Sequence, residues 1–253
     1  MDNDKNIKRQ EQRRSFEMKK IKVDENFWEL FPNAELFVVT ATGLNNHVNE
    51  AEDAYFADLL AQGKKEAQKF LTAETFSQND VIQEWRQAFS QFKTKKGARS
   101  SIEALLKRAS QDRTFNPINP LVDIYNSISL KYAVPCGGED IQALAGDLHL
   151  GKAKGGESFK PLGADEDAPA LPDEIIYYDE KGAVCRCFNW REAQRTMLQE
   201  QTTDAILVIE AINEVQAQRA QAATAELQQL IETYFEVKTR SATLTKATPE
   251  QEF

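Results

Sequence analysis

Three blocks of sequence carry most of the information about the fold: RSSIEALLKR at residues 99–108, NPLVDIYN at residues 119–126 and PCGGED at residues 135–140. In the middle block, Asn119 can cap a helix whose first turn holds Pro120, where the missing N–H costs no hydrogen bond. Asn119, Asp123 and Asn126 recur at helical spacing, so their polar groups share one face. Because the surrounding sequence is apolar and buried polar groups need partners, this row predicts one side of a pocket.

The first block has a structural explanation for part of its polarity. Ser100 and Glu103 have the spacing of a capping box, which predicts the start of a helix. Arg108 suits the negative C-terminal end of that helix. Arg99, which precedes the helix, has no such role and is a candidate for substrate binding.

The third block allows two interpretations of its paired glycines, Gly137 and Gly138. Glycine tolerates positive φ, so a tight turn is the simpler one. Alternatively, the exposed amides of such a turn could hold an anion or a carbonyl oxygen, as helix N-termini do. Either Glu139 or Asp140 would then cap a short helix over residues 141–145.

Hydrophobic periodicity along the rest of the chain indicates an α+β fold. The segments expected as helices are residues 50–70, 80–92 and the long C-terminal run 213–237. The segments expected as strands are residues 35–40, 147–150, 157–159, 174–179, 183–189 and 204–210. In the strand over 183–189, alternation should place Cys185, Cys187 and Asn189 on one face. The order of these segments favours a mostly antiparallel, sandwich-like sheet flanked by helices.

Composition suggests one domain with polar ends. The chain has 253 residues and a net charge of −9. We expect a basic, flexible segment at residues 1–24, a single domain at 25–238 and a polar tail at 239–253. The acidic body argues against sequence-independent binding to DNA, although the basic segment could contact RNA.

The three cysteines are an odd number without disulfide spacing, which favours reduced thiols in a reducing compartment. The sequence shows neither a signal peptide nor an apolar run of transmembrane length. We therefore expect a cytoplasmic protein with no membrane partner.

Several separated blocks resemble the family of free-standing B3/B4-domain proteins. The blocks are residues 101–106, 119–126, 137–140 and the segment CFNWRE at residues 187–192. Members of this family are related to the B3/B4 module in the β subunit of phenylalanyl-tRNA synthetase, and the similarity extends over most of residues 25–238. The synthetase module is an editing domain that hydrolyses tyrosine wrongly esterified to the phenylalanine tRNA. The resemblance therefore implies a sandwich-like α+β domain and a tRNA-editing function, and not a complete aminoacyl-tRNA ligase.

The resemblance also implies roles for individual residues. The editing glutamate of the synthetase falls on or near Glu192, with Trp190 and Arg191 replacing a pair of glycines. The pocket histidine of the synthetase falls on Gly137, and the two histidines of this chain, His47 and His149, lie elsewhere. Taken with the residue patterns above, this gives Glu192 and the amides of Gly137 and Gly138 as the candidate catalytic groups. The candidate substrate-binding residues are Asn119, Asp123, Asn126, Glu139, Asp140, Asn189 and Arg99.

Two functions remain open from the sequence. The first is a deacylase that hydrolyses mischarged aminoacyl-tRNA in trans, with Glu192 orienting the water or the substrate ammonium and the glycine amides at the oxyanion. The second is a non-catalytic module that binds an amino acid, a tRNA or a protein partner, which the missing histidine favours. Cys136 as a nucleophile has no histidine base. A metal bound by Asp123, Glu139 and Asp140 lacks ligand spacing, so we expect no metal or cofactor.

Overall fold

The structure is a computed structural model that describes residues 19–253, so most of the segment expected at 1–24 lies outside the described residues. The described residues form ten strands: β1 (Lys20–Val23), β2 (Glu35–Thr42), β3 (Cys136–Asp140), β4 (Leu148–Lys152), β5 (Ile175–Asp179), β6 (Gly182–Arg186), β7 (Arg191–Glu192), β8 (Asp204–Ala211), β9 (Thr239–Leu244) and β10 (Glu250–Glu252). They also form six α-helices: α1 (Glu25–Leu30), α2 (Asp53–Ala67), α3 (Asp80–Phe89), α4 (Ser101–Ser110), α5 (Pro120–Tyr132) and α6 (Glu214–Phe235).

The strands form two sheets, in the order β10-β1-β4-β5-β6-β7 and β3-β8-β2-β9. Neighbouring strands are antiparallel except β1 and β4, which run parallel. The C-terminal helix α6 is 22 residues long. These features confirm the predicted α+β class with mostly antiparallel sheets and a long terminal helix.

Alternation along β8 shows how the layers are arranged. Ile206 and Val208 belong to a core that also contains Leu150 and Val184 of the six-stranded sheet. Leu207, which lies between them, faces the other way and packs in a second core with side chains of α5 and α6. Because side chains alternate between the two faces of a strand, β8 joins both cores. The four-stranded sheet is therefore sandwiched between the six-stranded sheet and the helices.

The helix that begins after Asn119 forms as the sequence predicts. The Asn119 side chain accepts a hydrogen bond from the Val122 N–H at 3.1 Å, and Pro120 occupies the first turn. The helix ends at Ala133, whose φ of 50° is left-handed. This arrangement satisfies one of the free amides at the helix start and stops the helix just before β3.

The prediction of a glycine turn is wrong. Residues 136–140 form strand β3, and neither Gly137 nor Gly138 has a positive φ. Residues 141–143 form a turn rather than the expected short helix. The reason is tertiary pairing, because β3 pairs antiparallel with β8 over its whole length. A Cβ on Gly138 would lie 2.9 Å from Leu198 Cδ1, so the glycine provides space rather than a turn.

Both polar ends of the described chain contribute strands. β1 lies within the segment expected at 1–24, and β9 and β10 lie within the expected polar tail. β9 pairs with β2, and β1 pairs with β10 and β4. Backbone ladders do not require apolar side chains, and polar residues are common on sheet edges. The polar tail expected at 239–253 therefore contributes an edge strand to each of the two sheets.

None of the helices in the described part of the chain combines the length and the apolar character needed to cross a bilayer.

Candidate functional site

A cavity of about 490 Å³ lies between the two sheets. Its buried floor comes from the facing residues of β3 and β8, and its wall comes from β4 to β7 and the turn after β6. Helices α4 and α5 contribute the remaining side. Exposed residues, including Arg108 and Arg191, lie at its rim. The cavity therefore has a solvent-facing rim with basic groups and a floor shielded from water.

Three glutamates on three different strands contribute to this cavity: Glu139 of β3, Glu192 of β7 and Glu210 of β8. Glu139 is 7% exposed and Glu210 is 3% exposed. Of the described residues that line the cavity, the basic ones are the two rim arginines. Buried carboxylates are costly unless they are paired, hydrogen-bonded or protonated. The floor carboxyls must therefore be protonated or hydrogen-bonded to remain buried.

Gly137 makes room for the Glu192 carboxyl. A Cβ on Gly137 would lie 3.3 Å from Glu192 Oε1, so any larger side chain would contact the carboxyl directly. Burial raises the pKa of Glu192, and the Gly138 amide partly offsets this rise. A carboxyl of raised pKa is a stronger base when ionised, which suits proton transfer near neutral pH.

Glu139 and Glu210 differ in their partners. Glu210 accepts hydrogen bonds from Tyr177 Oη at 2.8 Å and from Asn189 Nδ2 at 2.6 Å. Burial nevertheless raises the pKa of Glu210 to about 7. Within residues 19–253, Glu139 Oε2 is buried without a hydrogen-bond partner. Burial and, second, the charge of Glu192 raise the pKa of Glu139, and the nearby Thr196 hydroxyl partly offsets this rise. Of the two floor carboxyls, Glu139 thus has the fewer hydrogen-bond donors.

The structure brings six of the ten predicted site residues to the cavity. These are Asn126, Gly137, Gly138, Glu139, Asn189 and Glu192. The other four lie outside its lining. Asn119 caps α5, and the Asp123 carboxylate accepts the Ile118 N–H at 2.9 Å. Asp140 accepts the Thr202 hydroxyl at 2.8 Å, and Arg99 lines a separate groove.

The polar side chains predicted to share one face of α5 therefore line two different cavities. Asn126 lines the main cavity, whereas Asn119 and Asp123 line a smaller cavity of about 100 Å³. Residues seven positions apart on a helix lie about 10 Å apart along its axis, so a shared face does not imply a shared pocket. Burial raises the pKa of Asp123 to about 6.

The glycine amides predicted to hold an oxyanion have other surroundings. Gly137 pairs with Val208 of β8. At the two ends of this pairing, the Glu210 N–H donates to the Pro135 carbonyl and the Ile141 N–H donates to the Asp204 carbonyl. These two hydrogen bonds fix which of the alternating backbone N–H groups of β3 face β8. This alternation directs the Gly137 N–H toward Val208 and the Gly138 N–H away from β8. Of the two amides, that of Gly138 is the one directed away from the ladder.

Alternation after β6 does not continue as predicted. Strand β6 ends at Arg186, and Cys187 and Phe188 have φ values of 48° and 64°. The chain turns there and returns as β7, which pairs Cys185 with Glu192. Asn189 reaches the cavity from this turn rather than from a strand face. A tertiary contact supports the turn, since the Phe188 N–H donates to the Ile175 carbonyl at 2.6 Å.

Sequence reasoning missed Glu210 and Tyr177 as lining residues, whereas Cys185 belongs to the strand face that alternation assigned together with Asn189. A signal for Glu210 exists in the sequence, because it shares the face of Ile206 and Val208 near the end of a strand that is apolar from Ala205 to Ile209. Tyr177 has no comparable signal, since it fits an ordinary buried strand.

The cysteines of this site and the possible metal ligands among the described residues bear on two other kinds of chemistry. Burial raises the pKa of the Cys136 and Cys185 thiols, so both stay protonated and weakly nucleophilic. All three cysteines are buried and free. Across residues 19–253, no three His, Cys, Asp or Glu side chains come together as a set that could hold a metal ion.

Glu210→Gln should change how stability depends on pH. The pKa of Glu210 in the folded protein is about 7, above the ordinary glutamate value of 4.5. The folded state therefore holds a proton that the unfolded state releases, and wild-type stability falls as pH rises from about 4.5 to about 7. We expect the stability of wild type relative to Glu210→Gln to fall by about 2–3 kcal/mol between pH 5 and pH 8. Urea unfolding of the ligand-free proteins measures this difference.

The exposed Glu29 supplies the control for this measurement, since Glu29→Gln changes the same group on α1 outside the cavity. The free energy of unfolding of Glu29→Gln should depend on pH in the same way as that of wild type. A parallel profile for Glu210→Gln as well would contradict the raised pKa.

The fold and the site together define an α+β sandwich domain with an acidic cavity between its sheets. A model of the B3/4 domain matches residues 84–250. The chain therefore belongs to the B3/4 domain family, which confirms the family predicted from the sequence.

One solved structure similar to this chain is an N-terminal fragment of the phenylalanyl-tRNA synthetase beta subunit from Pyrococcus horikoshii. The two share 14% identity with a TM-score of 0.46, and the similarity covers 94% of this chain and 56% of that chain. The chain thus spans just over half the length of that fragment. No curated protein matches the chain.

Proposed function

We propose that this protein binds the aminoacyl end of a mischarged tRNA in the cavity and hydrolyses the ester in trans. The observation that carries the proposal is the convergence of three glutamates, two of them buried, on a cavity of about 490 Å³. This volume lies in the range of about 300–1,000 Å³ that is usual for small-molecule sites. Membership of the B3/4 family and the editing role implied by the sequence resemblance support the same proposal.

The distribution of charge fits an aminoacyl ester of a nucleotide. Such a ligand has an ammonium group at one end and phosphate at the other. The buried Glu139 carboxyl offers an acceptor to the ammonium, since its Oε2 atom has no partner among the described residues. The exposed guanidinium groups of Arg108 and Arg191 at the rim suit the phosphate end.

Hydrolysis needs a base for water and a donor for the ester oxygen. The ionised Glu192 carboxylate takes a proton from water as the water oxygen bonds to the ester carbon. The Asn126 carboxamide, which lines the cavity, is the donor assigned to the developing oxyanion, because the Gly138 N–H already donates to Glu192. The bond from the carbon to the ribose oxygen then breaks, and the proton on Glu192 passes to that oxygen. The products are the free amino acid and the uncharged tRNA.

A screen of mischarged tRNAs tests this proposal. Each labelled aminoacyl-tRNA is incubated with catalytic amounts of the full chain, and the release of free amino acid is measured. Turnover above the rate of spontaneous hydrolysis is expected for at least one pairing. Absence of turnover across all pairings would contradict the proposal.

A second candidate function is a non-catalytic module that binds an aminoacyl-tRNA, a free amino acid or a protein partner. The observation that favours it is Gly137, which stands where the resembling synthetase has its pocket histidine. In the same screen, a binding module would slow spontaneous hydrolysis in a saturable way. Turnover and protection are opposite changes in one measured rate, so the two functions are distinguishable.

A further inference from the structure

A basic loop with the sequence KTKKGAR lies at residues 93–99, between α3 and α4. It contains Lys93, Lys95, Lys96 and Arg99 and no acidic residue, although the whole chain has a net charge of −9. All four basic side chains are exposed. The ion pairs found among residues 19–253 involve none of them. These charges are therefore available to a partner.

A groove of about 470 Å³ runs beside this loop. Arg86, Arg99 and Ser100 contribute to its lining, and Trp85 lies at its base. In the described part of the chain, the Ser100 hydroxyl and the Trp85 indole nitrogen are buried without hydrogen-bond partners. The acidic group in the groove, Glu103, is paired with Arg86 at 2.7 Å and does not cancel the charge of the loop. The groove thus offers donors and positive charge to an anionic ligand.

The loop and the main cavity share a wall. The Lys95 N–H donates to Cys187 Sγ at 3.4 Å, and the Ser101 N–H donates to the Asn189 carbonyl at 3.2 Å. Both acceptors belong to the turn after β6, which also contributes Asn189 and Trp190 to the cavity. Ser100 lines the groove while Ser101 lines the cavity. A ligand that leaves the cavity at this side therefore meets the basic loop next.

We infer that the basic loop at residues 93–99 and its groove bind the phosphate backbone of the tRNA acceptor end whose aminoacyl group occupies the cavity. The inference rests on the proposed function. Lysine and arginine contacts to phosphate release counterions and account for much of the affinity for nucleic acid. In an acidic protein, a local basic surface beside the cavity also selects the side from which the RNA approaches.

The test compares two double charge reversals in the full chain. Lys95→Glu with Lys96→Glu changes the loop, and Arg240→Glu with Lys246→Glu makes the same change of charge at exposed positions on and after β9. Strand β9 lies at the edge of its sheet opposite β3, so the control is remote from the cavity floor. Binding of uncharged tRNA is measured by fluorescence anisotropy over a series of salt concentrations.

The loop variant should bind tRNA at least about 10-fold more weakly than wild type. The slope of the logarithm of its binding constant against the logarithm of the salt concentration should be less steep, by about 0.7–0.9 for each lost phosphate contact. The control variant should bind within about 2-fold of wild type at the same salt concentration. Equal weakening in both variants, no weakening in the loop variant, or no binding by wild type would each overturn the inference.

Hydrolysis of a minimal substrate separates this inference from the proposed function. An aminoacyl ester of adenosine lacks the phosphate backbone that the loop is inferred to bind, so both double variants should hydrolyse it at the wild-type rate. Loss of this activity in the loop variant would show damage to the cavity and overturn the assigned role. Failure of every protein to hydrolyse the ester, with selective loss of tRNA binding in the loop variant, would contradict the proposed function while the RNA-binding surface stands.

Discussion

Glu192→Gln should lower kcat for aminoacyl ester hydrolysis by about 10²- to 10⁴-fold, the range usual for loss of a general base. Glutamine keeps the shape of the side chain in the space that Gly137 leaves open, but it cannot take a proton from water. KM should change little, because the ammonium group of the substrate is assigned to Glu139. Single-turnover kinetics with the substrate found in the screen measure the chemical step.

Two matched variants make this result specific. Glu139→Gln replaces a floor carboxyl that can ionise beside the substrate ammonium with an amide that cannot, and it should raise KM more than it lowers kcat. Glu29→Gln changes an exposed glutamate on α1 and should leave both constants at their wild-type values. Undiminished kcat in Glu192→Gln would remove Glu192 from the mechanism.

Glu174→Gln should destabilise the protein by about 3–5 kcal/mol, the cost of leaving one member of a buried ion pair without its partner. Arg186 and Glu174 are 1% and 0% exposed. Arg186 Nε donates to Glu174 Oε2 at 2.8 Å, and Arg186 Nη1 donates to the Ala168 carbonyl at 2.6 Å. Loss of the carboxylate leaves a guanidinium charge in a site that excludes water. Urea unfolding at fixed pH measures the effect.

An exposed ion pair supplies the contrast. Lys20 and Glu250 lie 2.9 Å apart with side chains 33% and 49% exposed. Glu250→Gln should therefore cost less than about 1 kcal/mol. Replacing both Arg186 and Glu174 by apolar residues should cost less than Glu174→Gln alone, since no buried charge is left unpaired. A loss for Glu174→Gln no larger than that for Glu250→Gln would contradict the structural role of the buried pair.

Arg186 also bears on the site, because it ends β6 just before the turn that contains Asn189. The adjacent residue, Cys185, pairs with Glu192 across β6 and β7. The buried pair therefore holds the strand against which the proposed base is positioned. Ester hydrolysis by Glu174→Gln is measured at a temperature at which the variant is fully folded, so that any loss of activity reflects the position of Glu192 rather than unfolding.

Local signals predicted the elements whose determinants lie close together in sequence. The cap at Asn119 and Pro120 predicted the start of α5, and alternating or continuous apolar runs predicted β2 and β8. The same signals failed at Gly137 and Gly138, because glycines that open a turn and glycines that clear space for a neighbour look alike in sequence. They also failed at Thr239–Leu244, whose polar side chains conceal an edge strand.

The sequence by itself determined the class of fold and the family, and it predicted a polar pocket from residues 99–140 and 189–192, because caps, periodicity and motif spacing are local properties. Tertiary structure alone decided which of those polar residues face one another. Glu210 joins Glu139 and Glu192 because β3 pairs with β8 and the two sheets face across the cavity. The raised pKa values follow from the burial that this packing creates, a property of the assembled sheets rather than of any one segment.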